Sequence, residues 1–286
     1  MKINIATTHR TKYIIDKYGL FAKKNYGQNF IINPTIIENI ANNSNITKDD
    51  YVIEIGPGIG ALTEALVQIA YEVYAFEIDK DLEKVLTTEI TNSNLKVIIK
   101  DFLKVNLEEF ISSLDPNRNI VIVSNLPYYI TSDILTKLIT SKIKYKSIIV
   151  MLQKEVGDKF LNNQGKKDES VLTYLARYYC DCSKVIDVSL NNFIPQPNIE
   201  SMVIKFTSKE YPLKVKDDKK FLAVTKALLK MRRKTIQNNL NAFLPSKNDV
   251  VELLNELNIN PLTRPESLSL DDFIRITNLI CDKYPK

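Results

Sequence analysis

The stretch YVIEIGPGIGALTEAL, residues 51–66, joins a strand-like apolar run to an amphipathic helical pattern through closely spaced glycines. The chain of 286 residues has seven glycines, and Gly56, Gly58 and Gly60 are three of them. Glycine allows a sharp turn and a close approach of backbone to ligand. The spacing G-x-G-x-G differs from the dinucleotide fingerprint G-x-G-x-x-G, but its strand–loop–helix context favours a nucleoside-type ligand over a plain tight turn.

Strand-like runs recur after this loop, with helical patterns between them. Runs rich in Val, Ile and Tyr predict seven strands, over 51–55, 71–77, 95–100, 119–124, 146–152, 184–188 and 201–206. Apolar spacings of three and four predict helices over 61–70 and 80–90. The alternation predicts an α/β class, a Rossmann-like domain with a seven-stranded, mostly parallel sheet that ends in a hairpin-like pair.

The pattern changes after Phe206. A polar, proline-containing stretch predicts a linker, and helical patterns follow over 219–243, 247–257 and 269–282, with Ser246 and Ser269 as candidate N-caps. We therefore expect a small all-α C-terminal domain. The predicted parts are an N-terminal extension over 1–24, the Rossmann-like domain over 25–208 and the helical domain over 209–286.

Charge is distributed unevenly among these parts. The extension is basic, the middle part has a net negative charge, and 219–234 holds seven basic residues and no acidic one. A body with two basic ends favours a polyanionic partner, while solvated charged helices are the alternative.

The composition excludes several classes of protein. The single histidine, His9, lies in the basic extension, which argues against His-based nucleophilic catalysis and His-rich zinc sites. The chain lacks an apolar run long enough to cross a membrane, and its start lacks a signal-peptide pattern. Three cysteines, read as free thiols, fit the cytoplasm that we expect. We expect no metal.

Two acidic residues follow the strands after the glycine loop. Glu77 ends the second predicted strand, where a carboxylate can accept hydrogen bonds from ribose hydroxyls. Asp101 ends the third, in position to meet an adenine amino group. An adenosyl cofactor without a pyrophosphate, S-adenosylmethionine, fits this pair better than NAD does. Solvated strand ends are the alternative for each acid taken alone.

The fourth strand ends in SNLPYY, residues 124–129, and Asn-x-Pro-aromatic resembles the signature of methyltransferases that act on exocyclic amino groups. The lone pair of adenine N6 is delocalised, so two acceptors that grip its hydrogens can aim it at a methyl group. The Asn125 side-chain oxygen and the Leu126 carbonyl are candidates for these acceptors. Pro127 stiffens the turn and Tyr128 offers a face for stacking. An ordinary turn with packed tyrosines is the alternative.

Six ordered blocks together resemble the rRNA adenine N6-dimethyltransferase family, and its small-subunit branch in particular, from about residue 24 to the C-terminus. The blocks are YGQNFI (26–31), EIGPGIGALTEAL (54–66), SNLPYYI (124–130), MLQKEV (151–156), FIPQPNIESMV (193–203) and RRKTIQNNL (232–240). Tyr26 and Ile31 replace the usual Phe and Leu conservatively, and the first fifteen or so residues have no clear family counterpart.

The resemblance implies an S-adenosylmethionine-dependent enzyme that dimethylates two adjacent adenosines near the 3′ end of small-subunit (16S) rRNA. The expected partner is that rRNA within the 30S subunit or its precursor, with no DNA, no membrane and a monomeric chain. Catalysis is expected at Asn125, Leu126, Pro127, Tyr128 and Phe193, where Phe193 and Tyr128 sandwich the target base. The expected cofactor contacts are Asn29, Ile31, Gly56, Gly58, Glu77, Ile78, Asp101, Phe102 and Asn125.

The basic run 219–234 is the candidate RNA-binding surface. Helical spacing predicts that Phe221, Val224, Leu228, Met231 and either Thr235 or Ile236 face the core of the helical domain. On another side of that helix, Lys226, Lys230 and either Arg233 or Lys234 recur at spacings of three and four as a cationic stripe. The residues that we expect to bind phosphates are Lys226, Lys230, Arg232, Arg233 and Lys234. A solvated helix face is the alternative.

Three other functions remain open at this point. One is a large-subunit rRNA adenine methyltransferase of the antibiotic-resistance type, which the MLQKEV and RRKTIQNNL blocks resemble less. A second is a DNA adenine methyltransferase, which needs a larger recognition domain. A third is a non-catalytic RNA-binding or assembly factor on the same fold, which the intact Asn125, Pro127 and Tyr128 disfavour.

Overall fold

A computed structural model of the chain describes residues 3–21, 28–161, 169–241 and 243–285. The strands are β1 (Phe30–Ile31), β2 (Tyr51–Ile55), β3 (Glu72–Glu77), β4 (Leu95–Ile99), β5 (Ile120–Asn125), β6 (Ser147–Gln153), β7 (Cys180–Val188), β8 (Phe193–Ile194) and β9 (Ser201–Ser208). The helices are α1 (Thr8–Tyr18), α2 (Pro34–Asn43), α3 (Thr63–Ile69), α4 (Asp81–Glu89), α5 (Leu107–Ser112), α6 (Thr131–Thr140), α7 (Lys154–Leu161), α8 (Val171–Tyr179), α9 (Asp218–Leu229), α10 (Ile236–Leu240), α11 (Lys247–Glu256) and α12 (Leu270–Lys283).

Within the described ranges, seven strands form one sheet in the order β4-β3-β2-β5-β6-β9-β7. The first five strands in this order run parallel, and β9 runs antiparallel to β6. The predicted α/β class and mostly parallel sheet are therefore confirmed. The chain order reverses between β2 and β5, and sheets of this type bind ligands beyond the carboxyl ends of the strands at such a point.

The central strands are apolar along their whole length because helices cover both faces of a parallel sheet. Every residue of β2 is buried, as are the first five residues of β5. The edge strand β7 starts at Cys180, four residues before the predicted start. Its first residues are largely polar and partly exposed, so they do not form the apolar run that predicts a strand. The two-residue strands β1 and β8 pair with each other and carry no period to detect.

The contacts divide the chain into two units. The first comprises Met1–Leu161 and Asp181–Ser208, and the second comprises Asn162–Cys180 and Lys209–Lys286. The second unit thus takes α8 from the predicted 25–208 domain. The physical reason is aromatic packing, because Tyr174 of α8 stacks on Phe273 of α12 with ring centroids 4.2 Å apart.

The described part of the predicted extension packs in the core of the first unit. Ile5 and Ile14 are buried there, and Glu64 of α3 accepts hydrogen bonds from the Asn4 and Ile5 N–H groups, both at 2.8 Å. Residues 1–2 and 22–24 of this extension lie outside the described residues, as does Tyr26. The segment is therefore tied to α3, which follows the glycine loop.

Two basic residues of the extension form ion pairs with an acidic residue of the protein. Arg10 forms an ion pair with Glu89, and Lys17 and Tyr18 donate hydrogen bonds to the same carboxylate, both at 2.8 Å. Burial alone would raise the pKa of Glu89, but these bonds and the Arg10 charge outweigh it and lower that pKa. Arg10 and Lys17 are therefore engaged by Glu89, and their charge is partly neutralised within the protein.

The C-terminal helices follow the prediction in part. The side chains of Ser246 and Ser269 cap α11 and α12, as predicted. The prediction of one helical stretch over 219–243 was wrong, because α9 ends at Leu229 and a turn leads into α10. The buried Asn239 holds this turn, accepting from the Met231 N–H at 3.0 Å and donating to the Met231 carbonyl at 3.2 Å.

That turn also changes which apolar residues are buried. Phe221, Val224, Leu228 and Ile236 are fully buried, as predicted, whereas Met231 is 42% exposed because the helix has already ended. Among the helices of the described residues, none is both long and apolar enough to cross a bilayer.

Candidate active site

A cleft opens at the carboxyl ends of the central parallel strands, where the strand order reverses. It encloses about 960 Å³ including its open mouth. The predicted residues that line it are Asn29, Ile31, Gly56, Gly58, Glu77, Ile78, Asp101, Phe102, Asn125, Leu126, Pro127 and Tyr128. Segments far apart in sequence thus meet at one place.

Phe193 is placed differently from the other predicted site residues. It lies in β8 opposite Ile31 of β1, and its side chain is 3% exposed within the core of the first unit. It does not belong to the described lining of the cleft. Tyr128 therefore lines the cleft, and Phe193 is not among its lining residues.

The glycine loop between β2 and α3 has a left-handed backbone at Gly56, Gly58 and Gly60, with φ of 68°, 59° and 92°. Side chains other than hydrogen are strained in this conformation. At Gly60 an added Cβ would also lie 2.6 Å from Ile90 Cδ1, so the Ile90 side chain would have to shift. Gly56 and Gly58 line the cleft, while the third glycine allows the loop to pack against the residue after α4.

Glu77 ends β3 and is held in one orientation by backbone donors. Its Oε1 accepts from the Ile78 and Asp79 N–H groups at 2.8 and 2.9 Å, and its Oε2 accepts from the Gly58 N–H at 3.2 Å. Burial raises the pKa of Glu77, and these three bonds oppose the rise. A carboxylate has about four acceptor positions, so acceptor capacity remains for a hydroxyl group in the cleft.

Glu54 is a site residue that the sequence analysis missed. Its side chain in β2 lines the cleft at 1% exposure, and its Oε2 has no hydrogen-bond partner among the described residues. Burial raises the pKa of Glu54 to about 8; the nearby Thr63 hydroxyl opposes this rise and the charge of Glu77 adds to it. The carboxyl group is therefore mostly protonated at neutral pH. A glutamate within the apolar run YVIEI was the available signal.

Asp101 and Phe102 form the end of the cleft beyond β4. Asp101 Oδ1 accepts from the Leu103 N–H at 3.0 Å and starts a short 3₁₀ turn. The Phe102 ring packs edge-on against Phe76, with centroids 5.4 Å apart, and both line the cleft. An apolar wall beside a carboxylate suits a purine base that carries an amino group.

The turn after β5 presents its polar groups in a defined orientation. Asn125 Nδ2 donates to the Asn29 carbonyl at 3.3 Å, which leaves Oδ1 as the acceptor of this amide. The Pro127 carbonyl accepts from the Ile130 N–H at 3.2 Å and from the Thr131 hydroxyl at 2.9 Å. The turn is thus tied to the start of α6.

Tyr128 is half-buried at the cleft, and its hydroxyl lies 2.6 Å from Ser201 Oγ of β9. Burial raises the pKa of Tyr128, and the hydrogen bond with Ser201 opposes the rise. The phenol therefore stays neutral at physiological pH. Its ring can stack on a flat group, whereas the next residue, Tyr129, is 53% exposed.

The predicted RNA-binding residues are all exposed, but they do not form one helical stripe. They are Lys226, Lys230, Arg232, Arg233 and Lys234. Lys226 lies on α9, Lys230 follows its end, and the other three belong to the turn before α10. These residues lie in the second unit, whereas the cleft belongs to the first.

Fold and cleft together define a Rossmann-like α/β protein with a site suited to a nucleoside ligand. The model of the ribosomal RNA adenine dimethylase family matches residues 19–282. The chain belongs to this family, as the sequence motifs had predicted.

Relatives of this chain carry a more specific name. The ribosomal RNA small subunit methyltransferase A of Bacillus cytotoxicus is 40% identical over 97% of both chains. Its Clostridium botulinum counterpart is 39% identical over 95% of this chain and 98% of its own length. The alignment with the Bacillus protein leaves out too few residues to hold the first fifteen. Part of this segment therefore has a counterpart in that relative, although the family model begins only at residue 19.

Solved structures agree with the fold. A dimethyladenosine transferase from Plasmodium falciparum has a TM-score of 0.68 and 25% identity, covering 86% of this chain and 95% of its own. The 23S rRNA methyltransferase ErmE has a TM-score of 0.61 and 22% identity, covering 88% of this chain and 99% of its own, and shares the fold.

Proposed function

We propose that this enzyme dimethylates N6 of two adjacent adenosines near the 3′ end of 16S rRNA, with S-adenosylmethionine as methyl donor. The substrate is the 30S subunit or its precursor in the cytoplasm. Support for the small-subunit target comes from relatives named small subunit methyltransferase A, which align with this chain over nearly its whole length.

The observation that carries the proposal is the orientation of Asn125 at the cleft. Because Nδ2 is held by the Asn29 carbonyl, Oδ1 is available to accept a hydrogen from N6. The Leu126 carbonyl is the second proposed acceptor, and the two together turn the N6 lone pair away from the ring. Tyr128 stacks on the base as a neutral phenol.

The chemistry needs no strong base in the protein. When bound, S-adenosylmethionine supplies an electrophilic methyl group whose bond to sulfur breaks as the bond to N6 forms. The N6 proton is acidic once the nitrogen is cationic, and it leaves to water. Asn125 and Leu126 thus orient the amine and do not need to remove a proton before the transfer.

The residues of the cleft fit such a cofactor. The aromatic wall of Phe76 and Phe102 matches an adenine, with Asp101 as acceptor for its amino group. The oriented Glu77 carboxylate matches ribose hydroxyls. Gly58 lines the cleft beside Phe30, and its φ of 59° favours glycine there.

Glu77→Ala tests the cofactor assignment. Loss of a charge-assisted hydrogen bond should weaken S-adenosylmethionine binding roughly 10- to 150-fold by calorimetry, while RNA binding changes little. Affinity should also fall as the pH drops through the raised pKa of Glu77, because the protonated group accepts less well. Glu72→Ala, at the other end of β3, is the matched control. Equal affinity of Glu77→Ala and the parent would exclude the ribose contact.

Labelled S-adenosylmethionine and unmethylated small subunits test the whole proposal. Nucleoside analysis should yield labelled N6,N6-dimethyladenosine in 16S rRNA and none in a parallel reaction with large subunits. Label in 23S rRNA would instead support the antibiotic-resistance type. Cofactor binding without transfer to either subunit would support a non-catalytic factor.

A further inference from the structure

Lys137 lies on α6, the helix that follows the Asn125–Tyr128 turn, and directs its charge into the protein. Its Nζ donates to the carbonyls of Phe102, Leu103 and Val105 at 2.9, 2.8 and 2.6 Å. An ammonium group has three protons, so each proton has one acceptor. Two of these acceptors belong to the short turn that follows Asp101, and the third, Val105, is the residue directly after that turn.

The acceptors of Lys137 distinguish it from an ordinary surface ion pair. Each is a backbone carbonyl, so the ammonium group depends on the shape of the turn. Burial lowers the pKa of Lys137, while the charge of Asp101 opposes this change. A partly buried cation that meets three converging carbonyls stabilises one backbone conformation of that turn.

The same turn supplies one end of the cleft. Asp101 starts it and Phe102 is its first residue, and both line the cleft. Lys137 Nζ also lies 5.4 Å from the centroid of the Phe102 ring, which packs against Phe76 on another side. The lysine thus contacts both the backbone and the ring of Phe102.

We propose that Lys137 is a positioning residue for the adenine of the cofactor. It holds Asp101 and Phe102 in place through the carbonyls of the residues that follow Asp101. The inference rests on the proposed function, because it assumes an adenosyl ligand in the cleft. Lys137 itself does not touch that ligand.

Selectivity for the adenine amino group separates this role from a merely structural one. Two ligands are compared by calorimetry on the full chain: S-adenosylhomocysteine and its purine analogue, in which hydrogen replaces the 6-amino group. In Lys137→Met, affinity for S-adenosylhomocysteine should fall about tenfold or more. Affinity for the purine analogue should fall less, so the ratio of the two affinities narrows towards that of Asp101→Ala.

Kinetics provide a second readout. The KM for S-adenosylmethionine should rise in Lys137→Met, while kcat at saturating cofactor stays near the parental value, because Asn125 and its turn are unchanged. Lys137→Arg, which keeps the charge and the donors, should recover part of both affinity and selectivity.

Lys146→Met is the matched control. Lys146 is an exposed lysine at the amino ends of the strands, away from the cleft, and its Nζ donates to the Asn45 carbonyl at 2.6 Å and to the Asp50 carboxylate at 2.8 Å. The Lys146→Met variant should be less stable than the parent, but it should keep the parental ratio of affinities for S-adenosylhomocysteine and its purine analogue.

Parental affinity in Lys137→Met, or an equal loss for both ligands, would overturn the proposal. If Lys137→Met does not fold, an unchanged ligand ratio in Lys137→Arg overturns it and a narrowed ratio supports it. If the parent protein fails to bind S-adenosylhomocysteine, the proposed function fails instead.

Discussion

Asn125 shows how a second contact assigns a role to a polar side chain. The sequence places an amide at the end of β5, but it does not tell which of its two ends meets a substrate. The bond from Nδ2 to the Asn29 carbonyl leaves the oxygen as acceptor. The same holds at Glu77, where three backbone donors orient a carboxylate.

Asn125→Ala should lower turnover by about 10²-fold or more, because it removes one oriented hydrogen bond to the reacting amine. The measurement is transfer of labelled methyl groups to small subunits by the purified, folded variant. Asn119→Ala is the matched control. Asn119 precedes β5 and does not line the cleft, and its Nδ2 donates to Asp50 Oδ1 at 3.0 Å. A parental rate in Asn125→Ala would refute the acceptor role.

Glu54 makes stability depend on pH. Its pKa is about 8 in the folded protein and ordinarily 4.5, so between these values the folded state binds more protons than the unfolded state. The free energy of unfolding therefore falls as pH rises through this window. Glu54→Gln keeps the shape without a titrating group and should flatten this fall.

Thermal unfolding of both proteins from pH 5 to pH 9 measures the effect of Glu54. The difference in Tm between Glu54→Gln and the parent should grow in favour of the variant as pH rises. A constant difference in Tm across the range would show that the pKa of Glu54 is the same in the folded and unfolded states.

At the scale of elements, the glycine loop is built between two helices and an N-terminal segment. Gly60 lets the loop approach the end of α4, while Glu64 of α3 and Glu89 of α4 anchor the segment that contains α1. These contacts stabilise the glycine loop whose Gly56 and Gly58 line the cleft.

Gly60→Ala should destabilise the fold by about 1 kcal/mol from its left-handed backbone and by about a further 1–3 kcal/mol from overpacking against Ile90. Gly19→Ala is the matched control, because Gly19 has a φ of 59° and nothing within 4 Å of an added Cβ. Denaturant unfolding of both variants separates the two contributions. An equal decrease in the free energy of unfolding in both variants would mean that the Ile90 side chain shifts at little energetic cost.

At the scale of the whole molecule, chemistry and polyanion binding are expected to depend on different units. The cleft belongs to the first unit. The cluster of exposed basic residues belongs to the second, and its members are Lys226, Lys230, Arg232, Arg233 and Lys234. The cluster combines the end of α9 with the following turn. Its exposure, without neighbouring acids in sequence, favours contact with phosphates.

Replacing Lys226, Lys230 and Arg233 by Ala should weaken binding to small subunits and reduce the slope of log affinity against log salt by up to about two to three. Affinity for S-adenosylmethionine should not change. A triple variant of exposed lysines in the first unit, Lys12, Lys84 and Lys142, makes the same change in net charge and is the control. A parental salt slope in the first variant would exclude the cluster as the RNA contact.

Local patterns in the sequence determined the fold class, most strand positions and the motifs of the cleft. A buried parallel strand needs a continuous apolar run, and a glycine loop needs adjacent glycines, so both are visible in a few residues. The strand-end positions of Glu77, Asp101 and Asn125 follow directly, because carboxyl ends of parallel strands meet at one edge.

Tertiary structure alone decided the contacts between distant segments. Nothing near Tyr174 indicates that α8 packs on Phe273, and nothing near Lys137 indicates that it holds the turn after Asp101. The end of α9 depends on Asn239, which lies beyond the helix that it terminates. Such contacts depend on the arrangement of whole elements in space, and a local period in the sequence carries no record of it.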